Sequence, residues 1–273
     1  YPGDIGNSIR VSVCASANGY QSTLTGALSV TANTANVTGV GTLFTTQVST
    51  RDLLLLNDEI VQVKSVANNT RMTLTGRHIA GAVSNTSVLR RWEHYVEVDR
   101  APGTTPFAKV QNGKCDEIHV VVVDDDGRWT GSNNTVMEVW QGLSKASDAK
   151  NDFGDSIYYK DVLNQRSRYV WWAGDATTIT SAGSRVKNQG FGVPYKPLVY
   201  SLAGGRDGTT IGNDERVRGW DMFADPEKID VSILALTDGG QTVATYVINN
   251  IVEKRRDCVA VLSPPRVTAV NNT

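Results

Sequence analysis

The run Asp116-Glu-Ile-His-Val-Val-Val-Val-Asp-Asp-Asp-Gly127 decides how this chain is read. Its centre is continuously apolar, without the alternation of a half-exposed strand. Such a run fits a strand covered on both faces. It is far too short to span a bilayer, which takes about 20 apolar residues in a helix. The acidic, glycine-ended tail reads as a solvated turn closing the strand.

Elements of both kinds lie around it. Upstream, Ile9-Arg-Val-Ser-Val13 alternates like a half-buried strand, with Gly3 and Gly6 marking a turn before it. His94–Val98 also alternates, and Ala101–Lys114 reads as a Pro/Gly loop. Downstream, strands are expected at Thr135–Gly142 and Arg168–Trp172, a short helix at Tyr158–Gln165, and a segment Leu198–Leu202 leading into the loop Ala203–Gly208. In the last third, Asp214–Phe223 reads as a helix and Lys228–Leu236 as a strand. Thr242–Arg256 then carries a helical stripe of Val243, Val247 and Ile251, ending on cations that suit the helix dipole. A strand at Asp257–Leu262, closed by Pro264-Pro265, makes a strand–helix–strand unit and implies a parallel pair.

Residues 28–91 have another texture, rich in Thr, Val, Asn and Ser, with glycine breaks and no helical period. Short strand-like runs recur at Leu28–Thr31, Leu53–Leu56, Ile60–Val66, Met72–Leu74 and Ser87–Leu89. Asn57-Asp58 and Asn68-Asn69 fall where hairpin turns belong. The expected fold is a mixed α/β, or α+β, core formed by residues 1–27 plus 92–273. Into it an all-β module, a small barrel or sandwich, is inserted at 28–91.

Composition narrows the function. The 273 residues carry 27 basic and 28 acidic side chains, so no basic excess exists for direct nucleic-acid binding. No apolar run supports stable membrane insertion. The three cysteines, Cys14, Cys115 and Cys258, are too few for a disulfide framework and read as free thiols. The chain begins at Tyr1 without an initiator methionine or signal peptide, which suggests a fragment of something longer.

No enzymatic site emerges, and no catalytic, cofactor-binding or metal-binding residue is assigned. Asp124, Asp125 and Asp126 alternate faces along a strand and cannot converge on a metal without a turn. His78, His94 and His119 lie in no zinc-like spacing. Ala203-Gly-Gly-Arg-Asp-Gly208 lacks the lysine of a phosphate loop and reads as a tight turn. Trp171 and Trp172, with Tyr169, offer aromatic surface. On a strand they face opposite ways, which favours packing over a sugar platform.

Four segments resemble the sheath proteins of contractile-tailed, T4-like phages. They are Tyr1-Pro-Gly-Asp-Ile-Gly-Asn-Ser-Ile-Arg10; Asp116–Gly127 with Tyr158–Gln165 and Tyr169-Val-Trp-Trp172; Leu202-Ala-Gly-Gly-Arg-Asp-Gly208 with Gly219–Asp225; and Asp230-Val-Ser-Ile-Leu234 with Arg256–Pro265. Their shared order covers most of residues 1–25 and 94–266, leaving the β module outside. The resemblance implies a structural virion subunit without enzymatic activity. Its partners would be other sheath subunits, in six-membered rings of a helical array, with the tail tube and baseplate met through segments not present here. Contraction of that array drives the tube through the host envelope for genome ejection. A sheath of a related contractile injection system, or a glycan-binding or adhesin module, is the alternative.

Overall fold

The computed structural model describes residues 3–236 and 240–263; Tyr1, Pro2 and the expected Pro264-Pro265 closure lie outside them. The fold is mixed α+β, with 20% helix and 33% strand. The chain divides into two compact units at Arg206/Asp207.

In the first unit, β1 (Ile9–Cys14) leads through a short helical turn, α1 (Ala17–Tyr20), into an eight-stranded curled sheet. Its strands are β2 (Gln21–Thr23), β3 (Ala27–Val30), β4 (Thr34–Val40), β5 (Leu53–Leu56), β6 (Glu59–Asn68), β7 (Arg71–His78), β8 (Val83–Thr86) and β9 (Leu89–Arg91). The spatial order is β2-β9-β5-β6-β7-β4-β3-β8. Leu56 pairs with Glu59, so Asn57 and Asp58 form a two-residue turn with φ of 45° and 62°. That is the left-handed pair a hairpin's twist demands. The next hairpin turns one residue later than the sequence suggests, on Asn69-Thr70, because Asn68 still pairs with Arg71. The concave side is filled by Leu28, Val37, Phe44, Leu54, Val63, Met72 and Leu74. A single helical turn, α2 (Phe44–Gln47), interrupts the strands and buries Phe44.

Beyond Trp92 the chain builds a four-stranded antiparallel sheet, ordered β11-β10-β1-β12. Its remaining strands are β10 (Glu117–Asp124), β11 (Thr135–Ser144) and β12 (Leu198–Ser201). Every residue of β10 is buried, as its unbroken apolar run requires. Two expected strands are absent. At His94–Val98 the chain turns instead, with Tyr95 N–H bonded to Trp92 O and Glu97 N–H to His94 O. At Arg168–Trp172 the Ser167 hydroxyl accepts the Tyr169 and Val170 N–H groups and bends the chain away from any ladder. The expected loop Ala101–Lys114 holds α3 (Pro106–Val110), started by Pro106 and by the Thr105 hydroxyl accepting Ala108 N–H at 3.2 Å. Helix α4 (Tyr159–Arg166) covers one end of the sheet face through Tyr159, Val162 and Leu163.

The second unit contains α5 (Asn213–Asp221), β13 (Ile233–Leu236), α6 (Gly240–Val247), α7 (Glu253–Arg255) and β14 (Val259–Leu262). β13 and β14 are parallel, as a strand–helix–strand unit implies. Between α6 and α7 one wider turn, Ile248–Val252, takes π geometry, so the expected helix is continuous but not uniform. Val243, Val247, Ile251 and Cys258 fill its core. Arg255 donates to the Phe223 and Ile229 carbonyls at 2.7 and 2.9 Å, and grips Asp257 with two further bonds.

Candidate functional site

The acidic run at the end of β10 splits three ways. Asp124 is buried. Burial alone would raise its pKa, but Thr130 N–H and hydroxyl (both 2.8 Å), Trp129 N–H (3.0 Å) and Gly127 N–H (3.0 Å) together hold it below the usual carboxylate range. Asp125 accepts from Arg10 Nε at 2.9 Å and from Arg51 Nη2 at 2.8 Å. Asp126 accepts from the Ser8 hydroxyl at 3.1 Å. Asp124 closes its own turn, while Asp125 and Asp126 both hold the Ser8–Arg10 segment through different side chains. Among the described residues no group of three or more His, Cys, Asp or Glu is placed to hold a metal ion.

The histidines are separate too. His119 is buried, with Gly142 N–H donating to Nδ1 at 3.0 Å and Nε2 at 3.0 Å from the Arg100 carbonyl. An occupied Nδ1 acceptor puts the proton on Nε2, which donates to that carbonyl. Burial lowers the pKa and keeps the ring neutral. His78 sits 2.7 Å from Glu59, and His94 3.3 Å from Glu93. Cys14 is buried and its thiol is pushed up to about 12 by burial, so it is unreactive; Cys258 is buried as well. Other ionisable groups are sealed in the same core. Burial drives the Lys145 ammonium down to about 8 while it donates to the Ala15 and Gly192 carbonyls. It also drives the Asp52 carboxyl up to about 7, against the opposing pull of Arg90.

The glycine-rich loop is a joint. Asn7 Nδ2 donates to Gly205 O at 2.9 Å, and Gly205 N–H donates to Asn7 Oδ1 at 2.8 Å. A Cβ on Gly205 would lie 2.1 Å from Gly3 O, so only glycine fits. The positive φ expected of this turn falls on Gly204, at 82°.

Some of the aromatic residues line a cavity with the shape of a binding site. Trp171 and Trp172 are not on a strand, and both line a pocket of about 610 Å³. Val11, Val13, Ile118 and Val120 of the four-stranded sheet make its floor, Tyr159 and Leu163 of α4 one wall, and Leu198, Tyr200 and Leu202 at the edge strand another. Trp172 is fixed by its indole N–H to Asp175 at 3.1 Å and by the Lys160 ammonium 3.7 Å from its ring centroid. Asp175 also takes the Tyr159 hydroxyl and pairs with Lys160 at 3.2 Å; burial raises its pKa. Tyr169 points elsewhere, edge-on to Trp129 at 5.3 Å. The volume is in the range of ligand pockets, and the lining is predominantly apolar. Sequence reasoning missed the pocket because its lining comes from separate elements; the apolar residues on both faces of β1 and β10 were the available signal.

Comparison with protein-family models, with curated proteins and with solved structures found no match for this chain.

Proposed function

We propose that this chain is a structural subunit of a phage contractile tail sheath. The observation that supports the reading is where the resembling segments meet. The first, Gly3–Arg10, bonds to the third through Asn7–Gly205 and through Leu202 N–H to Ile9 O at 2.8 Å. It bonds to the second through Ser8–Asp126, Arg10–Asp125, and Asp125 N–H to Ser8 O at 2.7 Å. Motifs up to 198 residues apart therefore hold one end of one sheet together. Several of their polar groups are bonded to each other, which suits a rigid subunit that moves as a body. In this reading the partners are further copies of the same protein, and the place of action is the virion tail. No described helix is long and apolar enough to cross a membrane.

Electron microscopy of the intact protein under assembly conditions tests it. Striated tubes or short, wide cylinders are expected. Dispersed particles under every condition would overturn it.

A second reading, a glycan-binding module, draws on Trp171 and Trp172 sharing one pocket. Sugar recognition also needs several convergent polar groups, and the one carboxylate present is already engaged by Tyr159, Trp172 and Lys160. Titration with host glycans, followed by tryptophan emission, should leave the spectrum unchanged.

A further inference from the structure

Phe153 is the most exposed large apolar side chain among those described, at 91%. It is not on a loose loop. The Asn151 side-chain carbonyl accepts Phe153 N–H at 3.0 Å and Asp155 N–H at 2.9 Å. The Asn151 and Asp155 backbones are joined at 3.0 Å, Gly154 N–H bonds to Asn151 O at 3.0 Å, and Gly154 takes a φ of 88°. A Lys150–Ser156 bridge closes the base. The phenyl ring is thus displayed on a pre-shaped turn, which reduces the ordering cost of docking it. A fully wetted ring on a rigid tip gains from any apolar cover.

The same unit carries such a cover. The pocket under Trp171 and Trp172, at about 610 Å³, is larger than a phenyl ring. Charged residues of opposite sign lie near the two patches in sequence. The turn presents exposed Asp152 and Asp155. Exposed Arg166 and Arg168 flank Leu163 and Val170 of the pocket in sequence. Phe153 does not line its own pocket, so knob and hole are distinct patches of one surface.

We infer that Phe153 of one copy of this chain seats in the Trp171/Trp172 pocket of the next. This rests on the reading of the chain as a self-assembling subunit and names a contact for it. Joining unlike patches is head-to-tail association, which propagates as an open series or a ring. One anchor side chain supports only weak affinity, with a dissociation constant on the order of a millimolar. The contact therefore works where many copies are already linked.

Sedimentation velocity of the intact protein, up to about 1 mM, reads this against that expected affinity. The weight-average coefficient should climb with concentration without levelling at a dimer. Phe153→Ser removes the knob, and Ala203→Trp fills the pocket from an exposed position; each alone should sediment as a monomer. An equimolar mixture of the two has one knob and one hole, and should stop at a dimer. Association that survives either substitution overturns the knob and pocket, but leaves self-assembly standing. Wild-type protein with no concentration dependence overturns the contact too, and micrographs then decide the sheath reading separately. Tubes built from Phe153→Ser protein as readily as from wild type would sink the contact while supporting the sheath.

Discussion

The two sheets of the first unit are held by different chemistry. The eight-stranded sheet closes over aliphatic and aromatic side chains, with Leu54, Phe44 and Val63 fully buried; its buried ionisable side chains, His78 and Arg90, stand outside that cluster. The four-stranded sheet buries Arg10 and Ser12 on β1, and Glu117, His119 and Asp124 on β10. Apolar cohesion is non-directional and tolerates volume-conserving exchange. Buried charges tolerate nothing that removes one partner. The apolar cluster of the first sheet can drift in sequence and keep its shape, whereas the buried charges of the second, like Arg90 on β9 of the first, fix register and the position of the loops that meet them.

The sharpest way to break this contrast is Arg10→Met. It strips the guanidinium from Glu93 and Asp125, whose side chains are 6% and 28% exposed. A loss of about 4 kcal/mol is expected in urea unfolding, as for other broken buried pairs. A loss under about 1 kcal/mol would make the polar core no more demanding than the apolar one. Leu54→Ala in the eight-stranded sheet should cost about 3 kcal/mol through lost burial and the cavity left behind, with Leu54→Met nearly neutral. Ile251→Ala gives an apolar reference in the second unit, at a similar cost, while Cys258 resists thiol reagents in the folded protein.

A smaller effect is expected from pH. Burial depresses the His119 pKa, so on acidification through about 6.5 the unfolded chain takes up a proton first. Folding stability contributed by the neutral ring is complete above that pH and is lost as pH falls. His119→Gln should flatten this part of the profile in denaturant titrations at a series of pH values; an unchanged slope would show that the ring is not responsible. The smallest change is a gain. Asp58 holds a φ of 62° in the Asn57-Asp58 turn, and Asp58→Gly should add about 0.5 kcal/mol by removing a left-handed strain. Destabilisation instead would mean that the aspartate side chain supports the turn.

What the sequence could show followed from how local each signal was. The unbroken Glu117–Asp124 run, the Asn57-Asp58 turn and the parallel pair around Thr242–Arg256 rest on neighbours a few residues apart, and all are present. His94–Val98 alternates as strands do and Arg168–Trp172 reads as a strand, yet nearby hydrogen bonds turn the chain at both. The fate of the three aspartates was legible as divergence, but their partners were not: Arg10 is 115 residues and Arg51 74 residues from Asp125. The pocket was hidden for the same reason. The objection to Trp171 and Trp172 sharing a surface held only for a strand, and the segment is none.

The Asn7–Gly205 joint has a mechanical consequence. It lies at the last residues of the first unit, just before the chain passes to Asp207, and at the open end of β12. Because β12 runs antiparallel to β1, the joint and the Leu202–Ile9 bond are reached first by any tension arriving along the chain from Asp207. The bonds are then loaded one after another, as in a zipper, and peel at low force. β12 carries Leu198 and Tyr200, so the strand that peels is also a wall of the apolar pocket. Pulling on this link opens that pocket, and an optical-trap trace with handles at Gly3 and Asp207 would record the opening as an early, shallow step.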